Sequence, residues 1–442
     1  MLHEPIRVAV TGTRDMTAPA TWSQLGIWRT MRKTRPDEGR MNIRFVLPVP
    51  GGLRIEDVGR VVSATVSAHE ALRTLHPLSP DGQLTQVVTG RGELPLSVVD
   101  TGGEDPAELA DKLADVPFDH AREVASRFVV LADGDQLLGV LVVLSPLAVD
   151  WVAEQMVRHE LTGRLAGRWA ARPPGGLSPV DLALAENSPT GQAANRLAVA
   201  RWAEFVDSHD PTNFPVRGPA QPTPRWTGAV LRSARMASAA GQLARDLGVS
   251  VSAVHHATSA VLIAALSGRP VAVMHNMTSN RATRTEAECL GRLAQASVSA
   301  VEVAAHSFRQ VVLHTASAGV RSYAMGHYST SDVDAVVDAD LFDGYHNSRF
   351  HRFPQPLEPA GGEAVGPDPT ITGCQPLSFN THQFKAEVSH EAGEAHWTLV
   401  TDRWYLPVSA PERLLSAMEA LVVEAARNPV ATSAVSFVDR LL

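Results

Sequence analysis

The sequence predicts an α/β protein built as two units. Three observations carry that expectation. Strand-like and helix-like patterns alternate along the chain in both halves. A stretch rich in Pro, Gly, Ser and Asn, residues 171–193, with helical character around Leu182 to Leu184, separates them. The 442 residues suffice for two or three domains of ordinary size. The expected partition is a first unit over 1–175, a linker over 176–193 and a second unit over 194–442.

In the first unit, PIRVAVTG (5–12) and MNIRFVLPV (41–49) read as strands. TWSQLGIWRTM (21–31) reads as a helix with Ile27 and Trp28 toward a core. The spacing of apolar residues predicts a second helix over 55–75. A polar link, SPDGQ, leads to the strand LTQVV (84–88), and PAELADKLADVPFD (106–119) follows as a helix. ASRFVVLAD and QLLGVLVVLS flank a DGD turn and predict a hairpin. The segment after Asp150 is expected to be a helix of about three turns.

The second unit opens with the helix NRLAVARWAEFVDSH (195–209). Two more helices are expected over 233–248 and 250–266, then strands over 271–279 and 298–305. A helix over 306–326 and a strand in DLFDGYHNSRF (340–350) come next. Residues 354–376, polar and rich in Pro and Gly, read as a long loop. A hairpin around EAGEA and a helix over 411–428 complete the chain.

Composition excludes several classes. Hydrophobic residues make up 44% and charged residues 19%, as in globular proteins. A formal net charge of -8 without a long basic run argues against nucleic-acid binding. No run of apolar residues is long enough to span a membrane, and the first twenty residues lack a signal-peptide pattern. Two cysteines, Cys289 and Cys374, cannot make a disulfide scaffold. A soluble cytoplasmic protein is the expectation. The Ala, Gly, Pro and Arg bias suits a GC-rich bacterial genome. No metalloprotease, calcium-loop, CxxC or nucleophile-elbow motif occurs, and the single Gly12 in TGT (11–13) is too little for a phosphate loop.

Several stretches, taken in order, resemble the condensation domains of nonribosomal peptide synthetases, within the chloramphenicol-acetyltransferase-like superfamily. TWSQLGIW (21–28) is similar to the opening motif through Thr21, Gln24, Ile27 and Trp28, with Gly26 in place of Arg. AHEALRT (68–74) is similar to RHExLRT, with Ala68 in place of the first Arg. MTSNR (277–281) resembles the strand that closes on Asn-Arg. GRLAQASVSAV follows it, with Gly291 matching, Gln295 replacing Asn and Ala300 replacing Arg. DLFDGYHNSRF resembles the strand after the long helix. The resemblance implies two acyltransferase-like α/β lobes set in a V with a tunnel between them. It also implies a crossing loop near 354–376 and partners bearing phosphopantetheine arms.

The family's central loop reads His-His-x-x-x-Asp-Gly. Here the stretch is LSPLAVDW. Aligned on Asp150, the two histidines become Ser145 and Pro146, and the glycine becomes Trp151. Proline has no side-chain proton to exchange, so the usual imidazole base is missing. The resemblance implies a structural pair between Asp150 and Arg281, and leaves Trp151 to narrow the tunnel or shape another pocket. His275 and His346 are the candidate replacement bases, with Ser145 or Tyr345 as hydrogen-bonding partners. The alternative for each is an ordinary polar residue in a cleft. His255 and His256 imitate the pair, but the sixth position is Ala260 and they lie in a helical run, which points to packing or surface placement. Arg73 and Glu70 are expected to fix a helix end or an internal ion pair. HNSRFHR holds His346 and His351 without a carboxylate or thiol at metal-ligand spacing, so no metal and no tightly bound cofactor are expected.

Two functions follow from the resemblance. The first is a condensation-like acyltransferase with a non-standard site, joining a carrier-protein thioester to an amine or hydroxyl of a small-molecule acceptor in specialised-metabolite synthesis. The second is an inactive module that recruits a carrier protein or a tailoring enzyme. A monomer is the family default.

Overall fold

The computed structural model describes residues 4–168, 176–304, 306–349, 367–374, 380–407, 410–428 and 433–440. It contains two compact units. The first comprises Met1–Asn195 and Ser279–Ala294, and the second comprises Arg196–Thr278 and Gln295–Leu442.

In the first unit, a five-stranded sheet runs in the order Ile6–Thr11, Arg91–Asp100, Ser126–Asp133, Gln136–Leu144, Ile43–Pro48. All its pairings are antiparallel except Arg91–Asp100 with Ser126–Asp133. The apolar run before the central loop is buried on both faces, as uninterrupted apolar strands are. Val140, Val142 and Leu144 meet the helices Ile55–Ala68 and Trp151–Leu165. Leu141 and Val143 meet the helix Pro106–Ala114 on the other face. A small three-stranded sheet runs Met16–Pro19, Thr85–Val88, Thr74–Leu75.

In the second unit, a seven-stranded sheet runs Gln295–Glu302, Val271–Thr278, Gly344–Arg349, Phe384–Glu391, Glu394–Asp402, Trp226–Ser233, Thr370–Gly373. One face is covered by the helices Ala234–Leu247, Val251–Ser267, Phe308–Tyr323 and Pro411–Arg427, with Trp397 and Phe384 wholly buried. On the opposite face Trp202, from the helix Pro189–Ser208, packs with Val273, Val298 and Phe342. The remaining strands show that face half-buried, with Tyr345, Asn347, Lys385, Glu387 and Thr398 along it. The EAGEA hairpin turns on Ala392 (φ 50°) and Gly393 (φ 82°), the left-handed pair that a two-residue turn requires.

Several expectations change. The stretch 176–193 is mostly helical (Pro179–Glu186, then Pro189–Ser208) and belongs to the first unit as far as Asn195. Ser178 and Asp181 form a capping box there, and the helical character expected around Leu182 to Leu184 falls within Pro179–Glu186. Residues 279–294, expected in the second unit, belong to the first. The helix expected over 55–75 stops at Ala68, followed by the 3₁₀ turn Glu70–Arg73 and the short strand Thr74–Leu75. The chain breaks there because Arg73 and Thr89 exchange hydrogen bonds across the small sheet. Among the strands that sequence reading does not give are Met16–Pro19, Arg91–Asp100 and Trp226–Ser233. Pro95 masks Arg91–Asp100, and sits where only Ile6–Thr11 pairs with it. Most of the expected loop 354–376 lies outside the described residues, and its described end contains the strand Thr370–Gly373.

No single helix among the described residues is long and apolar enough to cross a membrane. Ala234–Leu247 and Val251–Ser267 pass together by length and composition, but they bend by 108° and form core.

Candidate functional site

The first unit holds the central loop. Ser145, Leu147, Ala148, Val149 and Asp150 are all buried. Asp150 caps the helix Trp151–Leu165 by accepting from Ala153 N (3.0 Å). Its oxygens also take both Arg281 Nη1 (2.7 Å) and Nη2 (3.0 Å), and the backbone N–H groups of Leu293 and Ala294 (2.9 Å each). Arg281 in turn donates to the carbonyls of Ser279 (3.1 Å) and Gly291 (2.8 Å). Burial pushes the Asp150 carboxyl up, but the Arg281 charge and these hydrogen bonds outweigh it and hold it below the usual range.

Local geometry explains the residues around this lock. Asn280 sits at φ 52°, a left-handed turn that Asn tolerates better than most residues, and its side-chain amide donates to Leu293 O at 3.0 Å. Arg281 follows directly from that turn. A Cβ at Gly291 would lie 2.6 Å from Pro179 Cγ, so the carbonyl that Arg281 grips needs glycine behind it.

Gln24 ties the opening motif to the loop. Its Oε1 accepts from Thr21 N (2.8 Å) in a capping box, and its amide nitrogen donates to Leu147 O (3.1 Å). The same nitrogen lies 3.2 Å from His76 Nε2. His76 comes two residues after the AHEALRT stretch and was not recognised as part of this region. Burial lowers it to about 3, and its neighbour His120 to about 4, so both are neutral imidazoles. Glu70 pairs with Arg14 (2.8 and 2.7 Å), and Arg73 donates to Thr89 O at 2.6 Å, so both serve internal structure. The Arg73 guanidinium occupies the space a Cβ would take at Gly12, which accounts for that glycine.

Of the expected candidates, Ser145 is a correction. Its hydroxyl accepts from Leu147 N (3.2 Å) inside its own turn, and its backbone N–H is bound to Ala125 O (3.0 Å). It therefore has the role of a turn residue. Pro146 contributes a carbonyl that accepts from Arg292 at 3.3 Å. Trp151 is the first helical residue and is half-buried.

The second unit separates the two candidate histidines. His275 pairs in register with Tyr345, and Asn276 with His346. Paired residues share a sheet face and neighbours alternate, so His275 and His346 project to opposite faces. They cannot act on one substrate atom.

His346 faces the helices. Its Nδ1 lies 2.8 Å from Ser259 Oγ and its Nε2 2.8 Å from Ser348 Oγ. Its ring stacks on His256 with centroids 4.9 Å apart. Burial holds it well below the ordinary histidine value. With both nitrogens engaged and the ring in the core, His346 is a packing residue rather than a base. His255 and His256 are likewise buried. Trp397 Nε1 donates to His255 Nδ1 (3.2 Å), so the proton of His255 sits on Nε2 and is donated to His390 Nε2 (2.9 Å).

His275 and Tyr345 do come together, through His382. His275 Nδ1 lies 3.2 Å from His382 Nε2, and the Tyr345 and His382 rings are 4.9 Å apart. Phe342 stacks on His275 at 4.4 Å and Trp202 meets it edge-on at 6.1 Å. Burial holds His382 well below its usual value, assisted by His275 and Lys385. Farther along the face, Arg349 and Lys385 bring Glu387 down to about 2 against the burial that would raise it. His275 is thus a buried imidazole with an imidazole partner, packed against Phe342 and Trp202.

No family model matches the chain, and no curated protein matches it. Solved structures do. The condensation domain from the monacolin K polyketide synthase MokA superimposes with a TM-score of 0.76 at 15% identity, over 94% of this chain and 99% of that one. The first condensation domain of the calcium-dependent antibiotic synthetase, in complex with a substrate analogue, gives 0.70 at 16% identity, over 96% and 98%. The X-domain bound to OxyB from teicoplanin biosynthesis gives 0.72 at 16% identity, over 98% of each chain. At these identities the likeness concerns the fold. Two α/β units, a sheet-loop-helix junction locked by Asp150 and Arg281, and near-complete coverage of condensation and X-domains lead to one statement: this chain has the condensation-domain fold.

Proposed function

We propose that the chain is a condensation-like module that recruits rather than reacts, binding a carrier protein or a tailoring enzyme that works on a carrier-bound chain. One observation carries this reading. The loop Ser145–Asp150 has a single ionisable side chain, and Asp150 accepts five hydrogen bonds, two of them from Arg281. A carboxylate held this way is a poor proton acceptor, because protonation would forfeit the charge-assisted pairs. The loop keeps its architecture and lacks its base. The X-domain seen with OxyB supports the same direction, since a chain of this fold there binds a second protein.

A second reading rests on the contact between His275 and His382. In it, His275 takes the proton of an amine or hydroxyl acceptor as that group attacks the thioester carbonyl. The phosphopantetheine thiolate then leaves and is protonated. This is acyl transfer by general-base catalysis and positioning.

The test is a binding titration with a phosphopantetheine-bearing carrier protein, unloaded and loaded with an aminoacyl group, and in parallel with a candidate oxidative tailoring enzyme. Recruitment predicts saturable binding of at least one of them, unchanged by His275→Ala. Absence of binding to all three would remove the recruitment reading.

A further inference from the structure

Away from both regions, three side chains with metal-binding chemistry meet at one corner of the second unit. Glu302 ends the edge strand Gln295–Glu302, His306 lies in the short link that follows, and His314 lies in the second turn of the helix Phe308–Tyr323. Their ligand-capable atoms all lie within 4.8 Å of one another. His306 Nε2 is 3.7 Å from Glu302 Oε1, and the two imidazole rings are 4.7 Å apart at 88°. Two ligand atoms on a tetrahedral zinc stand about 3.3 Å apart, given bonds of about 2.0 Å. Rotation of the exposed Glu302 side chain can shorten its own distances to the two imidazoles, and a rotation of half-buried His306 or His314 would set the distance between them.

The hydrogen bonding already fixes one ligand's tautomer. His314 Nδ1 lies 3.2 Å from the backbone carbonyl of Glu302. A carbonyl only accepts, so Nδ1 carries the proton and the lone pair of neutral His314 is on Nε2. This is the outer hydrogen bond that orients metal-binding histidines in general. The backbone of His306 is held as well, its N–H by Val303 O (3.3 Å) and its carbonyl by Ala434 N (2.9 Å).

We propose that Glu302, His306 and His314 form a site for a divalent transition metal such as zinc. The ion clasps the end of the edge strand to the helix that follows it. Two imidazoles and one carboxylate select zinc, cobalt or nickel over magnesium or calcium. Three protein ligands leave one position for water.

The experiment uses the full, untagged chain, stripped with a chelator and titrated with ZnCl₂ by calorimetry, with MgCl₂ in parallel and thermal melts of each sample. One equivalent of zinc is expected to bind and raise Tm, and magnesium to do neither. His306→Ala and His314→Gln should each weaken zinc binding about tenfold or more and abolish the Tm rise, with metal-free melting little changed. Glu302→Gln, at an exposed position, gives the same reading if a histidine variant fails to fold. Failure of the wild-type chain to bind an equivalent of zinc overturns the proposal. So does zinc binding with a Tm rise that survives in the variants, which would place the metal on other histidines.

Discussion

The loop of the first unit and the sheet face of the second handle charge in opposite ways. In the loop, a buried carboxylate is matched by one guanidinium and three backbone N–H groups, and the ionised state is locked in. On the sheet face, His275 Nδ1 faces His382 Nε2 at 3.2 Å, burial holds His382 well below its usual value, and Lys385, Glu387 and Arg349 lie farther along. The loop buries an ionised group against its counter-charge, and the sheet face buries an imidazole by keeping it uncharged.

The comparison breaks most visibly at the lock. Arg281→Ala leaves Asp150 buried without its counter-charge and should cost about 3–5 kcal/mol in urea unfolding. A loss below about 1 kcal/mol would mean that the backbone donors alone hold the loop.

Acid comes next, because both units bury neutral imidazoles. His76 and His120 in the first unit sit at about 3 and about 4, and His256 in the second at about 4. Each value is lowered, so the unfolded chain binds protons first as pH falls. The stability these groups contribute is complete above the unfolded value near 6.5 and is lost progressively toward pH 4. Each such histidine costs about 1.4 kcal/mol per pH unit once the unfolded form is protonated. Urea midpoints at pH 7.5 and 5.5 should differ clearly, and equal midpoints would contradict these burials.

Two hydroxyls sharpen the contrast further. Ser259→Ala strips a partner from buried His346 and should cost about 1–3 kcal/mol. Ser145→Ala removes one bond within a turn and should cost about 0.5–1.5 kcal/mol. Chemical denaturation of the two variants ranks them directly, and the reverse order would make Ser145 more than a turn residue.

Much of the fold was legible from the chain. The apolar run before Asp150 and the EAGEA turn fixed two hairpins, and the spaced motifs placed Asp150 opposite Arg281. Other features were hidden for physical reasons. Helical character around Leu182 to Leu184 was legible, but the extent of the helices in 176–193 depends on caps and packing that composition does not display. The return of 279–294 to the first unit is a tertiary fact with no local signal. His346 resembled a candidate base because strand alternation identifies faces only relative to one another. Its parallel register with Asn276 decides which face it takes. Glu302, His306 and His314 escaped because their spacing bridges a strand end and a helix, where neither periodicity applies.

The central claim is that the chain binds without turning over. The most direct measurement is a single-turnover experiment, with the chain in excess over an aminoacyl carrier-protein thioester plus an amine acceptor, followed by intact-protein mass spectrometry. The account predicts that the thioester decays at its rate in buffer, equally for wild type and His275→Ala. Faster loss with formation of the acylated acceptor, abolished by His275→Ala, would contradict it and establish acyl transfer at the sheet face.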